Sequence, residues 1–223
     1  MDIRRGPADP PAVSTGHLPP SVRVQALVDA AYDGFRSNAE GRNADHYPAL
    51  AAVQRDLFGI CVAAVDGTLY SAGDADVPFT IMSVAKPFVF ALVCQALGAE
   101  AVRSKIGVNS TGLPFNSVMA VELNEDRLTN PMVNSGALAT TSLVPGRTTE
   151  IKWRFIEQGL SAFAGRPLTL NEEVYASATA TNQRNQGIAR LLQSYGRLHF
   201  DPAETTDLYT RQSSLNVTTR DLA

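Results

Sequence analysis

The chain has 223 residues, of which 44% are hydrophobic and 18% are charged, and its formal net charge is −3. This length and composition predict a folded domain with one substantial core and exclude a chain that is disordered throughout. The small negative charge and the absence of basic runs argue against nucleic acid or an anionic membrane as a partner. No apolar run approaches the roughly 20 residues that a membrane-spanning helix needs. We therefore expect a small-molecule substrate.

The cysteine and histidine residues have no pattern typical of a disulfide framework or a metal site. Cys61 and Cys94 lie in apolar stretches, where a cysteine acts as a small hydrophobic side chain. His17, His46 and His199 are far apart and lack zinc-like spacing. The N-terminus has no apolar core of a signal peptide. We expect no bound metal and a cytoplasmic location.

The predicted elements follow one another along the chain. Residues 1–20 are rich in proline, glycine and charge, so we expect a disordered N-terminal tail before a domain over 21–223. Residues 59–64 and 68–72 flank Asp66-Gly67, a dipeptide suited to a tight turn, and predict an antiparallel hairpin. Apolar residues at helical intervals predict helices over 21–35, 83–97, 99–106, 151–163, 171–195 and 203–215.

Three other segments carry weaker signals. Residues 107–116 are loop-like, and the small residues at 134–137 either pack tightly or open a helix. Residues 218–223 resemble the capped beginning of a helix. Because a capped helix should continue for several turns, we expect that the domain is cut short at Ala223.

Ser83 and Lys86 stand one helical turn apart at the predicted start of a long apolar helix. Residues at i and i+3 share a helix face, so the amine can reach back towards the hydroxyl. The first turn also carries unpaired N–H groups and the positive end of the helix dipole, which favour a developing oxyanion. A chain of this length contains about one Ser-x-x-Lys by chance, so the pair needs support from its context.

That context is a series of further motifs over residues 46–223. They are Tyr47-Pro48-Ala49-Leu50-Ala51, Val65-Asp66-Gly67, Gly73-Asp74 with Pro78-Phe79, Gly112 to Ser117, Asn130 to Ala137, Arg184-Asn185 and Leu208-Tyr209. With these motifs the chain resembles the serine-dependent glutaminases, whose fold is similar to that of serine β-lactamases. The resemblance implies an α+β fold of the β-lactamase/transpeptidase type, with a helical cluster beside an antiparallel sheet that is incomplete in this chain.

The resemblance also implies a role for each site residue. Ser83 is expected to be the nucleophile and Lys86 its proton acceptor. Contacts to bound L-glutamine are expected from Tyr47, Ser83, Asn134, Asn185 and Tyr209. The implied reaction is hydrolysis of L-glutamine to L-glutamate and ammonia through a serine acyl-enzyme, with water as second reactant and no cofactor. The family further implies a homo-oligomer.

These polar residues also have structural interpretations. Asn134 could satisfy backbone groups in a glycine-rich turn, and Asn185 could lie on a solvated helix face. Tyr47 and Tyr209 could be amphipathic edges of the core.

The sequence departs from the family in three places. Ala178 occupies the position of a glutamate that meets the substrate's amino group, and the loss of such a contact typically costs about 1.5–3 kcal/mol. Glutamine affinity should then fall about tenfold or more. The family continues past Ala223 into a segment with another active-site tyrosine and a strand bearing an oxyanion-hole N–H. Met82 replaces a glutamine, and Asn109-Ser110-Thr111 replaces Glu-Pro-Ser.

Three hypotheses remain open from the sequence. The first is an active glutaminase. The second is a catalytically impaired or inactive glutaminase-like fragment that acts only as a fold or an interaction partner, which Ala178 and the chain end suggest. The third is an acyl-enzyme protein of the penicillin-recognising type, against which the motifs around Asn134 and Asn185 argue.

Overall fold

The structure, a computed structural model, describes residues 20–223, so the predicted tail over 1–20 lies outside the described residues apart from Pro20. The helices are α1 Ser21–Phe35, α2 Pro48–Ala51, α3 Ala85–Leu97, α4 Ala99–Ile106, α5 Met119–Glu122, α6 Asn134–Leu143, α7 Thr149–Ala164, α8 Glu172–Ala180, α9 Gln183–Ser194 and α10 Pro202–Ser213. The strands are β1 Gly59–Ala63, β2 Leu69–Gly73, β3 Phe79–Thr80, β4 Thr169–Leu170 and β5 Leu215–Val217. A single 3₁₀ turn covers Met82–Val84.

The strands form two small antiparallel sheets beside the helices. β1 pairs with β2, with Gly59 opposite Gly73, and Gly67 in the connecting turn has a φ of 86° that suits glycine. In the second sheet β5 is central, with β3 on one side and β4 on the other. Ile81 N–H donates to the Leu215 carbonyl at 2.9 Å, which extends this pairing to the residues just before Ser83.

Several predicted elements are confirmed by the structure. The helix over 21–35 and the helix over 99–106 have the predicted bounds, and the hairpin follows the predicted turn. The small-residue segment at 134–137 opens α6.

Other predictions need correction. The helix predicted over 171–195 is two helices, because Thr181, with a φ of −125° and a ψ of 16°, departs from helical geometry and interrupts the helix between α8 and α9. The helix predicted over 203–215 ends at Ser213, and Leu215 instead begins β5, where β3 and β4 both supply ladder partners. The helix predicted from Ser83 begins as the 3₁₀ turn and becomes α-helical only at Ala85.

The beginning of a helix predicted over 218–223 has the hydrogen bonds of a capping box, but these residues form turns rather than a helix. Thr218 N–H donates to Asp221 Oδ2 at 2.7 Å, and Asp221 N–H donates to Thr218 Oγ1 at 3.1 Å. Residues 219–222 form turns. Arg166 also pairs with the Asp221 carboxylate, which ties this segment to the end of α7.

Helix α6 lies at the centre of the helical cluster and is buried along almost its whole length, in contact with α3, α9 and α10. Its polar residues tolerate burial because their hydroxyls bond to nearby carbonyls. Thr140 Oγ1 donates to the Gly136 carbonyl at 2.7 Å, and Thr141 Oγ1 donates to the Ala137 carbonyl at 3.0 Å. The contacts with α3, α9 and α10 hold α6 between the helices that carry other candidate site residues.

None of the helices in residues 20–223 combines the length and the apolar character needed to cross a membrane.

Candidate active site

Ser83 lies exposed in the 3₁₀ turn that links β3 to α3. The residue before it, Met82, has a φ of 49°, a left-handed conformation that is uncommon for a residue with a side chain. Backbone strain of this kind persists only where the surroundings hold it, as the bond from Ile81 to β5 does here. The turn places the Ser83 hydroxyl at the start of a helix, where unpaired N–H groups favour negative charge.

Lys86 lies one turn further on and is only 4% exposed. Its Nζ donates to Asn134 Oδ1 at 2.8 Å and to the Met132 carbonyl at 3.1 Å. The Phe115 ring centroid lies 5.6 Å from the same nitrogen. Both acceptors are neutral, and burial lowers the pKa of the Lys86 amine to about 8. A substantial fraction of this lysine is therefore neutral near pH 8, as a proton acceptor must be.

Asn134, Asn185 and Tyr209 form a buried network around the same amine. Asn134 Oδ1 accepts from Lys86 and from the Tyr209 hydroxyl at 3.2 Å, while Asn134 Nδ2 donates to Asn185 Oδ1 at 3.0 Å. The network joins the starts of α6 and α9 to the middle of α10 and to α3. The acceptors of the lysine are therefore an amide oxygen and a backbone carbonyl rather than a carboxylate.

The two tyrosines stand beside this network. Burial raises the pKa of the Tyr209 phenol, and the neighbouring Tyr47 raises it by a smaller amount. A side-chain interaction with Ser83 lowers the same pKa. Burial also raises the pKa of the Tyr47 phenol, which lies at the start of α2. Tyr209 is thus next to both Tyr47 and Ser83, and all six residues predicted for the site lie together.

The positions of the two asparagines contradict their structural interpretations. Asn134 uses its side chain to bind Lys86 and Asn185 instead of capping a turn, and Asn185 is only 8% exposed instead of lying on a solvated face.

Sequence reasoning did not identify the Met132 carbonyl or the Phe115 ring as contacts of Lys86. A backbone carbonyl carries no side-chain signal, so no residue pattern could have indicated it. Phe115 belongs to the Gly112–Ser117 motif, and its carbonyl also accepts from Asn134 N–H at 2.7 Å. The motif could have indicated that this loop is near the site, but it could not indicate the contact itself.

Ala178 lies on α8, the helix that packs against α2, and it is 3% exposed. The adjacent Ser177 Oγ accepts from Ala49 N–H at 3.3 Å, which fastens α8 to the helix that follows Tyr47. Ala178 is therefore a buried residue on a helix that contacts the segment following Tyr47.

Metal ligands are not clustered in the part of the chain that the structure describes: no group of three or more His, Cys, Asp or Glu residues could hold an ion. The arrangement consists instead of a hydroxyl, a buried amine of lowered pKa and a polar network of amides and phenols. A serine and a lysine one turn apart, at the start of a helix beside antiparallel strands, are the arrangement of proteins with the β-lactamase-like fold.

Residues 41–223 match the family model described as Glutaminase, and the chain belongs to the glutaminase family. It is 62% identical over 211 residues to Glutaminase 2 of Yersinia pestis, a match that covers 95% of this chain and 62% of that protein. It is 45% identical over 200 residues to a glutaminase of Colwellia psychrerythraea, with 90% of this chain and 64% of that protein covered. The chain thus spans about three fifths of the length of these curated relatives.

Solved structures of glutaminases have the same fold. The probable glutaminase YbaS matches with a TM-score of 0.89 and 42% identity, covering 91% of this chain and 66% of that chain. A probable glutaminase from Bacillus subtilis, complexed with 6-diazo-5-oxo-L-norleucine, matches with a TM-score of 0.76 and 31% identity, covering 93% and 62% of the two chains. These neighbours confirm the predicted α+β, β-lactamase-like fold.

Proposed function

We propose that the protein hydrolyses the side-chain amide of L-glutamine, with Ser83 as the nucleophile and Lys86 as its base. The observation that carries this proposal is the Lys86 amine, which is buried, bound by two neutral acceptors and lowered in pKa to about 8, one turn after Ser83. Membership of the glutaminase family supplies the substrate class. Nothing in the comparisons favours the hypothesis of an inactive fragment.

In the first step, Ser83 Oγ attacks the carboxamide carbon while its proton passes to Lys86 Nζ. The C–N bond of the tetrahedral intermediate then breaks, and the same proton goes to the leaving nitrogen, which departs as ammonia. An ester between Ser83 and the glutamyl group remains. Lys86 is neutral again at the end of this step.

In the second step, water attacks the ester carbonyl and gives a proton to Lys86. The bond from the carbonyl carbon to Ser83 Oγ breaks, glutamate leaves, and the lysine returns its proton to the serine. The cycle therefore needs one water molecule and no other reactant.

The polar network is proposed to bind the amino-acid part of the substrate. Tyr47, Asn134, Asn185 and Tyr209 offer donors and acceptors without adding a charge or a competing nucleophile. Ala178 offers no carboxylate for the substrate's ammonium group, so we expect weak binding of glutamine.

The test is release of ammonia and glutamate from L-glutamine by the purified protein. Ser83→Ala should reduce turnover by at least about 10³-fold, because the acyl-enzyme can no longer form. Ser104→Ala, which alters an exposed serine on α4, is the matched control and should retain wild-type turnover. Absence of glutamine hydrolysis by the wild-type protein, or full turnover by Ser83→Ala, would contradict the proposal.

A cytoplasmic location and a homo-oligomeric state are further proposals. Cys61 and Cys94 are both free, which agrees with a reducing compartment. The oligomer rests on the family resemblance alone. Cell fractionation tests the location, and an exported protein would contradict it. Light scattering on the protein as it elutes from a size-exclusion column tests the oligomeric state, and a monomer would contradict it.

A further inference from the structure

We propose that Gly136 is a positioning residue for Lys86, because only a residue without a side chain lets the turn at 130–133 rest against the first turn of α6. This inference rests on the proposed function of Lys86 as the base. It assigns a role in that reaction to a residue that touches neither the substrate nor the reacting atoms.

The contact at Gly136 leaves no room for a methyl group. A Cβ atom on this residue would overlap the backbone carbonyl of Asn130 and would lie 3.0 Å from Thr129 Oγ1. Backbone atoms cannot move aside as a flexible side chain can, so the turn or the helix would have to shift. A hydrogen bond from Ser135 Oγ to Thr129 Oγ1, at 3.0 Å, also holds the start of α6 against the segment that precedes it.

The turn that rests on Gly136 is built from the same Asn130. Its carbonyl accepts from Val133 N–H at 3.3 Å, and its Oδ1 accepts from Met132 N–H at 3.0 Å. Its Nδ2 donates to the Asn109 carbonyl at 3.0 Å, which ties the turn to the preceding loop. The orientation of the Met132 peptide is therefore fixed by Asn130 on one side and by the contact with Gly136 on the other.

The two acceptors of Lys86 come from the two sides of this contact. The Met132 carbonyl belongs to the turn, whereas Asn134 Oδ1 belongs to α6. Their relative position, and with it the position of the amine between them, depends on how closely the turn approaches the helix at Gly136. A methyl group there would move one acceptor away from the other.

Loss of the Met132 acceptor has a defined effect on the proton of Lys86. A carbonyl that accepts from an ammonium group favours the charged form, so its removal lowers the pKa of the lysine further. Among the neighbouring groups, the Tyr209 phenol on α10 shares the acceptor Asn134 Oδ1, and the Tyr47 phenol lies beyond it. No charged group in the described residues shifts the pKa of Lys86, for which burial is the cause.

The experiment compares the pH dependence of glutamine turnover in Gly136→Ala, Gly187→Ala and the wild-type protein between about pH 6 and 9.5. In Gly136→Ala the acid limb of kcat/KM should move to lower pH by about one unit, and the plateau of kcat should fall about tenfold or more. Gly187 lies in the interior of α9, where an added Cβ meets nothing within 4 Å, so Gly187→Ala should match the wild type in both respects.

A lower plateau with an unchanged acid limb in Gly136→Ala would overturn the inference, because a merely structural defect reduces the active fraction without changing the pKa of the base. If Gly136→Ala does not fold, Asn130→Ala removes the side-chain bonds that shape the turn. Its acid limb should also move to lower pH, and an unchanged limb would overturn the inference equally. Ser83→Ala, measured beside these variants, separates this result from the proposed function, which fails if the wild-type protein hydrolyses no glutamine or if Ser83→Ala retains full turnover.

Discussion

Replacing Lys86 with methionine is expected to stabilise the protein while abolishing its activity. Lys86 is 4% exposed, and its pKa is lowered from 10.5 to about 8. This lowering of the pKa corresponds to roughly 3 kcal/mol by which burial disfavours the charged amine. Methionine has a similar length and carries no charge. The Met132 carbonyl loses its partner, and Asn134 Oδ1 keeps only the Tyr209 hydroxyl. Together these losses offset about 1–2 kcal/mol, so we expect a net gain of about 1–2 kcal/mol at pH 7.

The pH dependence of this gain has a definite sign. The folded-state pKa of Lys86 lies below the unfolded value, so the folded state binds fewer protons between these two values. The destabilisation by the charged amine is fully present below about pH 8 and is relieved as the pH rises towards 10.5. The advantage of Lys86→Met over the wild type should therefore be constant below about pH 8 and decrease above it.

Urea unfolding of both proteins, followed by circular dichroism at several pH values, measures this difference. Groups that the two proteins share titrate in both and cancel in the comparison. Lys105→Met on α4 is the matched control and should change the free energy of unfolding by less than about 0.5 kcal/mol. The reasoning is refuted if Lys86→Met is less stable than the wild type at pH 7, or if its advantage grows with rising pH.

Two further predictions concern Ala178 and the segment after β5. Ala178→Glu should lower KM for glutamine about tenfold by supplying a carboxylate for the substrate's ammonium. The control Ala176→Glu, at an exposed position of the same helix, should leave KM unchanged. Equal KM values for the two variants in steady-state kinetics would contradict this prediction. Asp221→Asn should lower the free energy of unfolding by about 1 kcal/mol, because its 9%-exposed carboxylate pairs with Arg166. Asp76→Asn, at an exposed ion pair, should cost measurably less in the same urea titration, and the reverse order would be inconsistent with this account.

The parts of the fold that were predictable from the sequence are those with a strong local pattern. The helix over 21–35 shows the apolar periodicity of an amphipathic helix. The β1–β2 hairpin was predictable because Asp66-Gly67 is a dipeptide that favours a tight turn. Leu215 to Val217 form a strand of three residues, which is too short to show the alternation of apolar and polar residues that identifies a strand in a sequence. Its extended conformation comes from pairing with β3 and β4, both distant in sequence.

The candidate site divides in the same way. Ser83 and Lys86 could be identified because helical geometry relates their spacing to a contact, and the asparagines and tyrosines because they lie in motifs of a known family. The Met132 carbonyl could not be found, since every residue has one and only the tertiary structure decides where it points. The role of Gly136 was likewise hidden, because the contact that requires a glycine involves the backbone of a preceding turn.

The most direct test of the central claim is to locate the acyl group during turnover. The protein is mixed with L-glutamine, quenched in acid within the first turnovers, digested and analysed by mass spectrometry. We predict a glutamyl ester on the peptide that contains Ser83, and its absence from Ser83→Ala treated in the same way. A glutamyl adduct on another residue, or turnover by Ser83→Ala at the wild-type rate, would contradict the account.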